Sequence, residues 1–215
     1  MTAVEWKTKR LWLVRHGATI WNTERRYCGS SDIPLSEEGQ QQALWLGQRL
    51  RSVSFSTIYY SPTRRARATA EAIASAHREP LHLHVDDRWR EIDFGPWEGL
   101  TYAEITARDP DYPGFFSVPQ RYVPPGAESL EAVVQRVQEG LDALVRADEA
   151  SCLLVGHGGS LRLLLCLLLD MPLEQQWRFR LDPGSLSAVE LFYQAETRPQ
   201  ATLILLNEQQ KVENP

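Results

Sequence analysis

Three short apolar runs, Arg10–Val14, Thr57–Ser61 and Ser151–Val155, constrain this chain more than any other feature. Each is apolar on both faces, as a strand buried in the middle of a sheet is, and each is followed by a stretch with helical spacing. Ser36 is the candidate N-cap of a helix reaching about Leu50, with Glu37 and Glu38 in its first turn. Pro62 to Ala76 reads as a helix started by Pro62, with Ala66, Ala70, Ile73 and Ala74 as its core stripe. Leu130, Val133, Val134, Val137, Leu141 and Leu144 keep helical spacing from Ser129 to about Arg146, and Gly159 to Leu169 is apolar nearly all round. Ser187–Tyr193 and Thr202–Leu206 read as two late strands joined by a loop. Strand–helix alternation closed by such a pair predicts an α/β sandwich with a mostly parallel sheet and an antiparallel edge.

Composition removes several functions. Lys and Arg number 23 against 28 Asp and Glu, a net charge of −5 that disfavours general nucleic-acid binding. Cys28, Cys152 and Cys166 are too scattered for a disulfide framework or a four-thiolate zinc site. Met1 to Arg10 lacks an apolar signal core, and Leu161 to Leu169, interrupted by Arg162, is too short to span a bilayer. A cytoplasmic protein without a membrane partner is expected. His82 and His84 alternate on a probable strand, which reads as an exposed face before a metal site. Residues 1–215 are expected to form one domain. Around 95–128 it carries a flap-like insertion, because Asp109–Pro125 combines dense proline with Tyr112, Phe115, Phe116 and Tyr122.

Chemistry concentrates where the three runs end: Arg15-His16-Gly17, then Ser61-Pro62-Thr63-Arg64-Arg65, then Gly156-His157-Gly158-Gly159. Ligands of open α/β sheets bind beyond the carboxyl ends of the strands. Brought to one sheet edge, these residues form a positive pocket on a negative protein, suited to a phosphoryl group.

Leu13-Val14-Arg15-His16-Gly17 with Thr19 and Asn22 resembles the signature of the histidine phosphatase superfamily, which includes the phosphoglycerate mutases. Further marks follow in the family's order: Tyr27-Cys28-Gly29 with Asp32; Ser61-Pro62 with Arg65-Ala66; Glu91 with Phe94-Gly95 and Trp97-Glu98-Gly99; Glu128-Ser129; and Gly156-His157-Gly158. Departures are Ala18, Thr63 where Leu is common, Cys28 and Ala127. The resemblance implies a three-layer αβα sandwich and chemistry without cofactor or metal. His16 would be the nucleophile, and Arg15, Arg65 and His157 would clamp the phosphoryl oxygens. Asn22, the backbone of Cys28 and Gly29, and Gly158 would complete the substrate site. Glu91 would protonate the leaving oxygen and then activate water, which asks for a carboxylic acid with a raised pKa.

Arg65 is preferred over Arg64 because it precedes Ala66 directly. Arg64 and Arg67 are expected to face outward, and Arg25 and Arg26 to sit on a solvated turn. Cys28 reads as a small buried filler before a redox sensor, and Trp12, Trp45 and Trp177 are candidates for the core.

Between Gly99 and Ser129 only Arg108 and Arg121 are available to hold a substrate carboxylate, so hydrolysis is favoured over a mutase reaction. Met171-Pro172, Trp177-Arg178-Phe179-Arg180 and Asp182-Pro183-Gly184-Ser185 resemble the branch that includes the α-ribazole phosphatases. The expected partner is a small phosphorylated metabolite, with α-ribazole 5′-phosphate as candidate and a homodimer left open. The alternatives are a phosphoglycerate mutase, a broad-specificity sugar-phosphate or phosphoglycerate phosphatase, and a binding protein that has lost catalysis. His16, Arg65, Glu91 and His157 together argue against the last.

Overall fold

The computed structural model describes residues 6–109, 124–194 and 198–210. Strands β1 (Lys7–Arg15), β2 (Thr57–Tyr60), β3 (His82–Val85), β4 (Ser151–Gly156), β5 (Leu186–Tyr193) and β6 (Gln200–Glu208) form one sheet in the order β3-β2-β4-β1-β5-β6. The first four neighbours run parallel, while β5 is antiparallel to both β1 and β6. The mixed sheet is as expected, except that the antiparallel strand lies one position in from the edge, which β6 occupies.

Strand periodicity sends alternate residues to opposite layers. On one face Leu11, Leu13, Cys152, Leu154 and Val189 pack with helices α5 (Leu130–Arg146) and α6 (Gly158–Leu168). On the other, Val14, Ile58, Leu153 and Val155 pack with α2 (Glu37–Leu50) and α3 (Arg64–Ala76). Ser36 and Ser129 cap α2 and α5 through their side chains. A single turn, α1 (Ile20–Thr23), and a short helix, α4 (Tyr102–Arg108), were not legible as helices from periodicity. The described start of the flap-like insertion is ordered: Trp97 and Ile105 are buried together against Phe94 and Leu100. Residues 110–123, and with them most of the proposed flap, lie outside the described residues.

Pro62 does not begin α3. Thr63 is its N-cap and Arg64 its first residue, and the Asp32 carboxylate accepts from the Arg64 N–H at 2.7 Å. This anion arrives from a distant loop, which local spacing cannot show. His82 and His84 are exposed on edge strand β3. Trp12 and Trp45 pack partly buried against the second core, whereas Trp177 lies outside the core, with Arg162 over its ring at 5.4 Å. Among the described residues no helix is long and apolar enough to cross a membrane.

Lys9 shares the inward face of β1 with Leu11 and is almost fully buried. Its ammonium donates to the carbonyls of Leu144 and Ala147 at 2.5 and 2.6 Å, satisfying the C-terminal end of α5, where a cation also meets the negative end of the helix dipole. Lys9→Met keeps the apolar stem but orphans both carbonyls. It is expected to lower unfolding free energy by about 1–3 kcal/mol. A urea midpoint equal to that of the unaltered protein would refute this role.

Candidate active site

The order β2-β4-β1 places three strand ends side by side. Register makes them level, since Val155 pairs with both Val14 and Tyr60, and the next residue of each strand is Gly156, Arg15 and Ser61. One residue further, His16 and His157 meet edge to face, with ring centroids 4.9 Å apart.

The tautomers follow from the partners. His16 Nδ1 faces the Gly17 carbonyl at 2.7 Å, and a carbonyl can only accept, so Nδ1 carries the proton. Nε2 is left with its lone pair, and the buried Arg65 donates to it from Nε at 3.3 Å. The same guanidinium donates to His157 Nδ1 at 3.3 Å, so His157 carries its proton on Nε2 and gives it to the Ser61 hydroxyl at 2.7 Å. Burial, then Arg65 and Arg15, push the His16 imidazole well below its ordinary pKa; burial, Arg65, His16 and Arg15 do the same to His157. Both rings are therefore neutral at pH 7.

A measurable consequence is an absent imidazole titration. Followed by NMR, the His16 and His157 ring resonances are expected to hold their positions as pH falls from about 7.5 to about 6. A titration centred near ~6.5 would contradict it. Stability follows the complementary rule. The unfolded chain takes up protons below about 6.5 while the folded rings refuse them, so stability falls as pH drops below that value towards the folded pKa.

Arg15 donates to the Leu181 carbonyl at 2.7 Å, while its buried Nε has no partner. Burial, reinforced by Arg162 and opposed by Glu91 and Asp182, lowers its pKa to about 10, so it remains a cation at neutral pH. An unpaired buried guanidinium N–H beside a neutral imidazole suits an anion.

Glu91 sits at the N-terminus of α6. Its Oε2 accepts from the Gly159 N–H at 2.9 Å, and its Oε1 from Ser160 and its neighbour Ile92, both at 3.0 Å. A Cβ on Gly159 would lie 2.6 Å from Glu91 Oε1, so only glycine lets the carboxylate dock there. The first-turn N–H of Gly158 is left unpaired among the described contacts.

The remaining expected site residues divide. Gly29 borders the cluster through its carbonyl, which accepts from Arg65 at 2.7 Å, but its N–H is taken by Glu98. Cys28 is half-buried, its thiol pushed up to about 11 chiefly by burial, which fits a filler and not a reactive thiol. The Asn22 carbonyl oxygen is committed to the Thr19 backbone and hydroxyl in a capping box, and no described bond joins Asn22 to the His16–Arg65–His157 group. Arg64 and Arg67 are exposed, and Arg26 is held by Glu24, Glu104 and the Gly99 carbonyl.

Several residues with no assigned role prove to hold the site. Glu98 accepts from the N–H groups of Gly29, Ser30 and Ser31, shaping the loop whose carbonyls receive Arg65. Arg136 pairs bidentately with Glu128 at 2.7 and 2.8 Å and donates to the carbonyls of Arg88, Arg90 and Glu91, pinning the segment that presents Glu91. Gly184 in the tail donates to the carbonyls of Arg15 and His16. Only the motif positions of Glu98 and Glu128 hinted at this.

Two neutral imidazoles bridged by one buried guanidinium, at the carboxyl ends of parallel strands, make this an α/β protein built to receive a compact anion. The chain belongs to the histidine phosphatase superfamily (branch 1), whose family model matches residues 11–201. It is 35% identical over 184 residues to an adenosylcobalamin/α-ribazole phosphatase of Salmonella typhimurium, covering 85% of this chain and 90% of that one. It is 37% identical over 185 residues to a bifunctional protein of Mycobacterium tuberculosis, covering 85% of this chain but spanning only about half (50%) of that relative's length. A solved structure of a putative α-ribazole-5′-P phosphatase from Escherichia coli superposes with a TM-score of 0.83 at 33% identity, covering 93% of this chain and 96% of that one.

Proposed function

We propose that the protein is a metal-independent phosphomonoester hydrolase of the cytoplasm that works through a phosphohistidine on His16. The observation that carries this reading is the unprotonated Nε2 of His16, which meets only a long 3.3 Å contact from Arg65, on a neutral ring whose other nitrogen is pinned to the Gly17 carbonyl. In the first step Nε2 attacks phosphorus, the P–O ester bond breaks, and Glu91 delivers a proton to the departing oxygen. Glu91 Oε2 accepts a single N–H, so it has a lone pair left to hold that proton. In the second step water attacks phosphorus and gives its proton back to Glu91, and the N–P bond breaks to restore the neutral imidazole. Arg15, through its unpaired Nε, and Arg65 offset the charge on the phosphoryl oxygens. His157 joins them by turning its N–H from Ser61 to an oxygen, and the Gly158 N–H adds a further donor. Asn22 would contribute through its amide nitrogen, the half of the side chain outside the capping box.

The substrate is a small phosphorylated metabolite, with α-ribazole 5′-phosphate the first candidate. The tail from Met171 to Ser185 and the relative from Salmonella typhimurium support that choice. Turnover of this ester in heavy-oxygen water, with chelator present, tests the reading. One labelled oxygen should appear in each phosphate released. Transfer of the phosphoryl group between the hydroxyls of phosphoglycerate, without labelled phosphate, would replace hydrolysis by a mutase reaction. Complete loss of activity in chelator would remove the metal-independent mechanism.

A further inference from the structure

The tail segment Asp182-Pro183-Gly184-Ser185 meets the catalytic group beside the Leu181 carbonyl. That carbonyl is the one hydrogen-bond partner of the Arg15 guanidinium among the described residues, accepting from Nη1 at 2.7 Å. The direction of the cation therefore follows the direction of a single C=O.

A carbonyl does not turn alone. Leu181 C=O and Asp182 N–H belong to one planar peptide unit and point to opposite sides of it, so an acceptor on the N–H fixes the C=O. Asn207 supplies that acceptor, with its Oδ1 2.7 Å from the Asp182 nitrogen. The same amide donates from Nδ2 to the Asp182 carboxylate at 2.9 Å, which fixes which end of the amide is oxygen. Asn207 is held in turn through its own N–H, which donates to the Ser187 hydroxyl at 3.0 Å. Its φ of 56° is a left-handed backbone that asparagine tolerates better than most residues. Acceptor, peptide and cation in one row polarise one another, so each bond strengthens the next.

We infer that Asn207, near the end of β6, is a positioning residue: it locks the Leu181–Asp182 peptide and thereby aims the Arg15 guanidinium at the phosphoryl group. The inference rests on the phosphohistidine reading for the use of Arg15 and adds what orients it. Asn207 itself touches no substrate in this role. Misplacing a group that binds the reacting phosphoryl by about 1 Å can cost about 10²-fold in rate.

The test is a double-mutant cycle on kcat/KM for nitrophenyl phosphate. Asn207→Gly removes the amide and suits the left-handed backbone, and it should cost about 10- to 100-fold. In an Arg15→Met background the same substitution should cost no more than about twofold, because the group it aims is gone. Equal losses in both backgrounds would overturn the assignment and leave Asn207 as general support for the tail. Asp182→Asn keeps the backbone N–H that Asn207 accepts and removes the charge that acts on Arg15. It should lose clearly less than Asn207→Gly, and an equal loss would give the effect to charge and overturn the part of the peptide. Exchange of the Asp182 amide follows the same coupling in the unaltered protein: it should slow when orthovanadate occupies the site, and an unchanged rate would overturn the coupling. Failure of the phosphohistidine reading has a different signature, since the unaltered enzyme would then turn over the ester with no phosphoryl label on His16.

Discussion

His16→Ala is expected to lower turnover of every phosphomonoester by about 10⁴- to 10⁶-fold and to abolish the acid-labile phosphoryl label recovered by rapid quench. The size follows from the division of labour. Arg65, Arg15 and His157 surround the point of attack, but none replaces the His16 nitrogen: two are cations, and the third is held between Arg65 and the Ser61 hydroxyl. Removing His16 therefore removes the covalent route itself, and what remains is anion binding. The substitution also leaves the Gly17 carbonyl and Arg65 Nε each short of a partner, so the circular dichroism spectrum and thermal midpoint must accompany the rate. A folded variant within tenfold of normal turnover would eliminate the phosphohistidine mechanism.

Glu91→Gln separates acid catalysis from binding. The loss should reach about 10²- to 10⁴-fold for alkyl esters, whose leaving oxygens need a proton, and be far smaller for nitrophenyl phosphate. An amide can keep one oxygen on Ile92 and Ser160, but its NH₂ then faces the Gly159 N–H, donor against donor. Some stability is lost with it, about 1–3 kcal/mol. That cost falls on both substrates alike, whereas the missing proton falls on one. Equal slowing of both esters would take Glu91 out of the acid role and leave it as a support for α6.

The fold was legible because its signals are local. Apolar runs ending at Gly17 and Gly156, the caps at Ser36 and Ser129, and the stripes of α3 and α5 lie within a few residues of the structure they encode. The start of α3 was misread where that locality fails, since its capping carboxylate is Asp32. The candidate nucleophile and its cations were legible for a related reason: residues at strand ends gather wherever parallel strands are neighbours.

The sequence by itself determined the main strands and long helices, the family, and the candidate site residues His16, Arg65, Glu91 and His157, because periodicity, capping and motif order are properties of the chain read in one dimension. Tertiary structure alone decided which nitrogen of each imidazole carries a proton, that Arg136 and Glu128 hold the Glu91 segment, and that the tail carbonyl of Leu181 receives Arg15. Those partners lie up to 166 residues apart. A hydrogen bond depends on distance and angle in space, and separation along the chain carries no record of either.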